Sequence, residues 1–398
     1  MKFNIWKDCP KVPITELLSF IVDNRGKTVP TADNGWKLIA TNCVTNNTLF
    51  PVYEKVRYLT QKTYETWFRA HPIPGDILFV NKGTPGRVCM VPDPVDFCIA
   101  QDMIALRADD EKMYNKYLFA VLRSREIQQQ IYNTNVGDVI PHFKKQFMDQ
   151  LLIPVPDRRI QEIIGNLYYE LSYKTELNKK INENLEQQAQ AIFAQEFLNR
   201  SFIPDGWKAG SLLDIADYLN GLAMQKFRPS DDEIGLPVLK IKELRQGSCD
   251  SSSERCSPSI NPAYIIHDGD VIFSWSGSLL VDFWCGGTCG LNQHLFKVTS
   301  QKYDKWFYYA WTKHYLDRFI AVAADKATTM GHIKREELAK AEILIPNNAD
   351  YSRIGSLLQP IYDLIIANRI ENKKLTEIRD SLLPKLMCGE IDISEFEC

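Results

Sequence analysis

A few short stretches carry residue types that chemistry uses. Asn261-Pro262-Ala263-Tyr264 is one proline short of the Asn-Pro-Pro-Tyr box of adenine-N6 methyltransferases. Methyl transfer would also need a Gly-rich loop after a strand to hold the methyl donor, and the chain offers none. The tetrapeptide therefore reads as a turn before a strand at 264–266. Gly83-Thr84-Pro85-Gly86-Arg87 is Gly-rich but lacks the GxxxxGK[ST] spacing and the lysine with which a P-loop cradles phosphates. Cys285 and Cys289 stand four apart with no nearby Cys/His pair to complete a tetrahedral zinc site. The six histidines contain no HExxH. With no nuclease constellation legible either, the residues point to binding rather than catalysis. No metal and no cofactor is expected on this chain.

The elements that position these residues are written twice. From Ile160 to Leu198 apolar residues recur at helical spacing, with no Gly or Pro after Gly165. A second such segment runs from Ile354 to Leu386, with Pro360 near its start and Pro384 near its end. A shift of 190 positions superposes them: Ile164 falls on Ile354, Gly165 on Gly355, Asn178 on Asn368, Asn182 on Asn372. The spacing alternates three and four. One copy reads Ile164, Leu167, Leu171, Lys174, Asn178, Ile181, Leu185, Gln188, Ile192. The other reads Ile354, Leu357, Ile361, Leu364, Asn368, Glu371, Leu375, Ile378, Leu382. That is a heptad seam, and two matching seams in one chain make an obvious pair. Asn178 and Asn368 sit on the seam at equivalent positions. A polar residue there costs stability but can fix register and partner number.

The approaches to the helices also match. Leu151-Leu152-Ile153-Pro154-Val155-Pro156 and Ile343-Leu344-Ile345-Pro346 each read as a short strand stopped by proline. Upstream, Pro74-Gly75-Asp76-Ile77-Leu78-Phe79 corresponds to Asp268-Gly269-Asp270-Val271-Ile272-Phe273, a Gly-Asp turn feeding an apolar strand. The expected fold is α+β. Globular units of mixed α/β structure span 1–156 and 201–346. Long helices at 157–200 and 347–398, the latter with a C-terminal tail, form an antiparallel coiled coil, and the whole is a pseudo-twofold internal repeat.

Length and composition agree with an ordinary globular chain. Of 398 residues, 45% are hydrophobic and 24% charged, enough for several buried cores. No apolar run approaches a membrane span, and the N-terminus lacks the apolar region of a secretory signal. Ten scattered cysteines without a CxxC fit free thiols in a reducing cytoplasm. Net charge is −3; residues 1–155 carry +3 and the segments 156–200, 201–346 and 347–398 carry −1, −2 and −3. No basic tail or stripe appears, so binding to a polyanion would rest on local placement of charge or on a basic partner.

This arrangement resembles the specificity (S) subunit of type I restriction–modification systems. The resemblance covers nearly the whole chain. It rests on the Ile-Pro-Val-Pro approach to the first helix, the Asn-bearing heptads and the Gly-Asp strand starts. Ile203-Pro204-Asp205-Gly206-Trp207 opens the second unit, and Leu382-Leu383-Pro384-Lys385-Leu386-Met387-Cys388-Gly389-Glu390-Ile391-Asp392 closes the chain. Asn347-Asn348 stands where the first copy has Val155-Pro156. The resemblance implies a non-catalytic, cytoplasmic reader of double-stranded DNA. Each globular unit would read one half of a split target, while the helices set the spacing and dock two methyltransferase (M) subunits. S-adenosylmethionine would lie on those partners, and restriction (R) subunits would join the complex. The competing reading is a coiled-coil scaffold that binds proteins. Given the net charge, the chain alone is expected to bind DNA poorly.

Base reading needs Asn, Gln, Arg, Lys, Ser or Thr on exposed loops, with Lys and Arg at phosphates. In the first unit Asn81, Lys82, Thr84 and Arg87 stand on a polar Gly loop between apolar runs, whose competing reading is a plain hairpin turn. Its counterpart in the second unit holds Ser274 and Ser276 but no cation. His142, Lys144 and Lys145 match His332, Lys334 and Arg335 at 190 residues and are phosphate candidates; His142 could equally pack at the helix approach. Arg25, Lys27, Lys240 and Lys242 are further candidates, each also readable as solvated surface.

Overall fold

The computed structural model describes residues 4–24, 26, 28–134, 141–200, 202–325 and 333–391. Contacts divide the chain into two units: 1–177 with 374–398, and 178–373. Each globular part is thus joined to the helix residues beside it, and the helices do not form units of their own.

In the first unit, Gly75 (φ +86°) turns the chain into Ile77–Val80, four apolar residues buried on both faces. This strand lies inside an antiparallel sheet ordered Leu18–Val22, Met103–Ala108, Ile77–Val80, Val88–Met90, with Ile77 opposite both Leu106 and Met90. A smaller sheet orders Arg57–Leu59, Trp36–Ile39 and Phe97–Ile99, the last pairing parallel. Lys11–Pro13 pairs antiparallel with Leu152–Pro154, which ties the start of the unit to the helix approach. Helices Asn115–Leu122 and Arg125–Asn133 share one core with Phe79, Phe143, Ile153 and Ile164.

The second unit repeats this topology with different residues and one strand more in its smaller sheet. Its antiparallel sheet is ordered Asp217–Asn220, Leu295–Thr299, Val271–Ser274, Leu280–Phe283. Its smaller sheet, Arg255–Cys256, Leu236–Leu239, Cys289–Leu291 and Ile265–Ile266, again holds one parallel pair. Lys208–Ser211 pairs with Glu342–Ile345. Helices Lys305–His314 and Leu316–Asp325 pack over Phe273, Ile343 and Ile354. The Gly-Asp turns are structural in both units: Asp76 accepts a bidentate pair from Arg107 at 2.9 and 3.0 Å, and Asp270 pairs with Lys297 at 2.9 Å.

The long helices are α1, Arg158–Phe193, followed by a π-helical turn Ala194–Leu198, and α2, Asn348–Met387. At 1.5 Å per residue they are about 54 and about 60 Å long. Helical structure runs through Pro360 and Pro384, both exposed. No described helix is long and apolar enough to cross a membrane.

The buried face of each helix differs from the expected seam by one residue. Of the expected positions, Ile164, Asn178, Ile354 and Asn368 are buried. Leu167, Leu171, Ile181, Leu185, Ile192, Ile361, Leu375 and Leu382 are half-buried, and Leu357, Leu364 and Ile378 are exposed. The buried stripe instead carries Tyr168, Ser172, Thr175, Asn182, Ala189 and Phe193 on α1. On α2 it carries Leu358, Tyr362, Ile365, Arg379 and Leu383. The reason is that each helix covers its globular core as well as helix residues. Tyr168 packs edge-on to Phe119 (centroids 5.8 Å) and under the Arg379 guanidinium (5.5 Å). Tyr362 packs against Phe283 and Tyr309. A heptad defines spacing, but these aromatics set its phase.

Candidate nucleic-acid interface

In the first unit the strand Ile77–Val80 ends in a hairpin through 81–87. Val80 N–H donates to Arg87 C=O (2.9 Å) and Gly86 N–H to Val80 C=O (3.0 Å). Gly83 and Gly86 take φ of +84° and +88°, backbone that glycine adopts at low cost. Asn81 is fully buried and is no base reader. Its N–H donates to Asp102 C=O (2.8 Å), its C=O accepts from Phe143 N–H (2.8 Å), and Nδ2 donates to Phe143 C=O (3.3 Å). It clamps the hairpin to the segment 141–144. Thr84 Oγ1 is buried within the turn. Lys82 and Arg87 point outward and are exposed. Lys82 forms an isolated backbone bridge with half-buried His142, which brings exposed Lys144 to the same turn. Lys82, Arg87 and Lys144 form no ion pair among the described residues. The backbone of 81–87 is a plain hairpin, and the cations ride on it.

The second unit builds a corresponding turn, held by the same two cross-chain backbone bonds. Trp275 N–H donates to His294 C=O (3.4 Å), and Trp275 C=O accepts from Ile333 N–H (2.9 Å), so Trp275 takes the structural place of Asn81. Gly277, at φ +64°, takes the place of Gly83. Ser274 and Ser276 are buried and shape the turn instead of reading bases. Ser274 Oγ donates to Ser278 C=O (2.9 Å), and Ser276 Oγ lies 3.1 Å from His294 Nδ1. Lys334 and Arg335 follow Ile333 directly and are exposed, with no ion pair among the described residues. Lys240 and Lys242 are less available. Lys240 pairs with Glu254 at 2.8 Å, and its hydrogen bond holds that carboxyl below the usual range. Lys242 approaches Asp250 at 3.6 Å; hydrogen bonds from Ser252 hold the Asp250 carboxyl at about 2, so it stays an anion beside the lysine.

One cation escaped the sequence reading. Arg245, in the last turn of helix Ile241–Gln246, lines an open groove with Gly277 and Ser278. Its only signal is a basic residue before a Gly helix stop, a pattern too common to single out. Arg25, Lys27 and His332 lie outside the described residues, as does the Lys145 side chain. The turn assigned to Asn261-Pro262-Ala263-Tyr264 is a 3-10 turn, capped by Asn261 Oδ1 accepting from Ala263 N–H at 3.0 Å. No described cluster of His, Cys, Asp or Glu could hold a metal ion.

Two units of closely similar topology, each with exposed cations beside the corresponding turn, define a protein that carries one scaffold twice. Residues 11–187 and 204–379 each match the type I restriction modification DNA specificity domain, and the chain belongs to that family. It is a DNA sequence-recognition subunit of a type I restriction–modification system, not the enzyme of that system. The MjaIX specificity subunit of Methanocaldococcus jannaschii is 25% identical over 365 residues, 85% of this chain and 83% of that one. The EcoKI specificity subunit of Escherichia coli K12 is 24% identical over 316 residues, 71% of this chain and 67% of that one. In fold, the chain is similar to the crystal structure of a type I system S subunit from M. genitalium. The TM-score is 0.62 at 14% identity, covering 97% of this chain and 98% of that one.

Proposed function

We propose that each globular unit reads one half of a bipartite double-stranded DNA target through the turn that its exposed cations surround. The observation that carries this reading is the repetition itself. Lys82, Arg87 and Lys144 surround the turn of one unit, and Lys334, Arg335 and Arg245 that of the other, in a chain of net charge −3. Lysine and arginine at phosphates position a reader, and groove contacts then specify sequence.

In this reading α1 and α2 form an antiparallel coiled coil with pseudo-twofold symmetry, which sets the spacing of the half-sites. The order of their hydrogen bonds supports the direction: Asn178 meets Glu371 and Asn372, while Asn182, further along α1, meets Ile365 and Asn368, earlier on α2. Two methyltransferase subunits dock on the helices and hold the S-adenosylmethionine, and restriction subunits join them in the cytoplasm. Leu357 and Leu364, 46% and 44% exposed and one heptad apart, supply an apolar stripe for a helix-docking partner. The partner also supplies much of the phosphate-neutralising surface.

Footprinting tests the reading. The chain assembled with its methyltransferase subunits should protect one split sequence, in two patches, and raised salt should weaken binding log-linearly. Uniform binding to random duplexes with no protected site would refute it.

A further inference from the structure

The two turns differ in where their cations come from. In the first unit two cations stand on the turn itself. In the second the turn Trp275-Ser276-Gly277-Ser278 has none, and Arg245 reaches it from a separate helix, 32 residues before Gly277 in the chain. We infer that Arg245 is a specificity-determining residue of the second unit, reading a guanine edge in its half-site. This rests on the reading that the unit binds DNA.

The helix that carries Arg245 is firmly held. Leu244 is buried with Leu239, Ile272 and Trp284. Glu243 is buried and accepts from Lys240 N–H (3.2 Å) and Ser253 Oγ (3.1 Å), and Gly247 ends the helix at φ +75°. The arginine therefore leaves a fixed base. It is exposed and has no hydrogen-bond or ion-pair partner among the described residues, whereas Lys240 and Lys242 on the same element are paired with acids.

The groove it lines is open, with a volume of about 460 Å³. Gly277 and Ser278 form one wall, and a Cβ on Gly277 would meet only Ile241 Cδ1, at 3.7 Å, so an incoming edge approaches backbone closely. Leu279, Ile320 and Ala323 form an apolar wall, and Ile320 is 44% exposed. An unpaired guanidinium beside an apolar wall suits a base edge better than a phosphate. Its planar fork matches the O6 and N7 acceptors of guanine, and apolar side chains suit a thymine methyl. The phosphate role falls to Lys334 and Arg335, which stand on the exposed segment after Ile333.

The test uses the full chain assembled with its methyltransferase subunits. Bound duplexes are selected from a randomised library and sequenced, for wild type, Arg245→Gln and Arg245→Lys. Both variants should lose preference at one G·C position of one half-site, by roughly 10- to 100-fold. Preference at the remaining positions of both half-sites should stay intact, which also reports that the second unit of each variant folds. Lys334→Ala should instead weaken all sequences alike. Retention of every preference by Arg245→Gln, or a uniform loss across sequences, would overturn the assignment of Arg245 alone. A wild-type complex with no sequence preference would overturn both it and the DNA-reading function beneath it.

Discussion

Asn368 donates its side-chain amide to Oδ1 of Asn182 at 2.8 Å, and the pair is buried. Asn178 donates to Oδ1 of Asn372 at 2.9 Å. Under the 190-residue repeat, Asn178 corresponds to Asn368 and Asn182 to Asn372. The two bonds therefore exchange partners: each asparagine bonds to the equivalent of its own neighbour four residues away. Asn178 and Asn368, the matched seam positions, do not bond to one another. A register slip of either helix by one residue would break both bonds together, which is how paired amides in a seam specify one alignment.

Single replacement of Asn368 by Leu should destabilise the protein by about 1–3 kcal/mol, because Asn182 Oδ1 then lacks its donor in a buried seam. The double variant Asn182→Leu/Asn368→Leu removes both members and should lose less than the sum of the singles. Asn178→Leu/Asn368→Leu strikes two separate bonds and removes neither complete pair, so it should lose more than Asn182→Leu/Asn368→Leu. Thermal denaturation of the three single and two double variants decides the pairing.

The two helical glycines should respond unequally to alanine. A Cβ on Gly165 would lie 2.6 Å from Tyr117 N and 2.9 Å from Lys116 C, both backbone. On Gly355 it would lie 3.1 Å from Trp306 Nε1, a looser approach to a buried indole edge. Gly165→Ala should therefore cost about 1–3 kcal/mol, since helix and backbone must separate. Gly355→Ala should be milder, because alanine recovers about 1 kcal/mol of helix propensity. Comparison of the two melting temperatures checks the order.

Glu196 provides a pH test. It accepts a fork from Arg353 at 2.8 and 2.9 Å and a third bond from Arg200 at 3.0 Å. The Arg353 guanidinium, aided by Arg200, holds its carboxyl below the usual range. A carboxyl lowered on folding stabilises above its unfolded value and loses that contribution as pH falls through the folded one. Wild type should thus lose more stability than Glu196→Gln between about pH 6 and about pH 3. Parallel loss in both proteins would show that the pair contributes nothing measurable.

The sequence disclosed the repeat, the helices and the strand-stopping prolines because each leaves a local pattern. It did not disclose the phase of the seam. Leu357 and Leu358 are equally apolar, and only the core beneath the helix decides that Leu358 turns inward. Asn81, Ser274 and Ser276 looked like readers because their side chains suit bases. They suit their own turns equally well, and burial settles which use they serve. Lys82 and Arg87 were legible as cations on a Gly loop. Arg245 was not, because its nearness to Gly277 exists only once the second unit has folded.

Lys82→Ala and Arg87→Ala should each lower the slope of log affinity against log salt by about one, since each removes one phosphate contact. Preferred sequence should not change. Anisotropy titrations of the assembled complex across a salt series measure the slope. An unchanged slope for both would remove the hairpin 81–87 from the interface.

Helix α2 separates a packing role from a docking role within two adjacent residues. Leu358 is fully buried in the core of the second unit, and Leu358→Ala should cost about 2–5 kcal/mol. Leu357, beside it, is 46% exposed, and Leu364, one heptad on, is 44% exposed. Replacing either by Asp buries no charge in this chain, so thermal stability should change by less than about 0.5 kcal/mol. If the stripe receives a methyltransferase subunit, the same Asp would be desolvated opposite an apolar surface, and an unpaired buried charge is strongly unfavourable. Leu357→Asp/Leu364→Asp should then fail to co-purify with the partner while melting like wild type. Normal co-purification of the double variant would place the docking surface elsewhere on the chain.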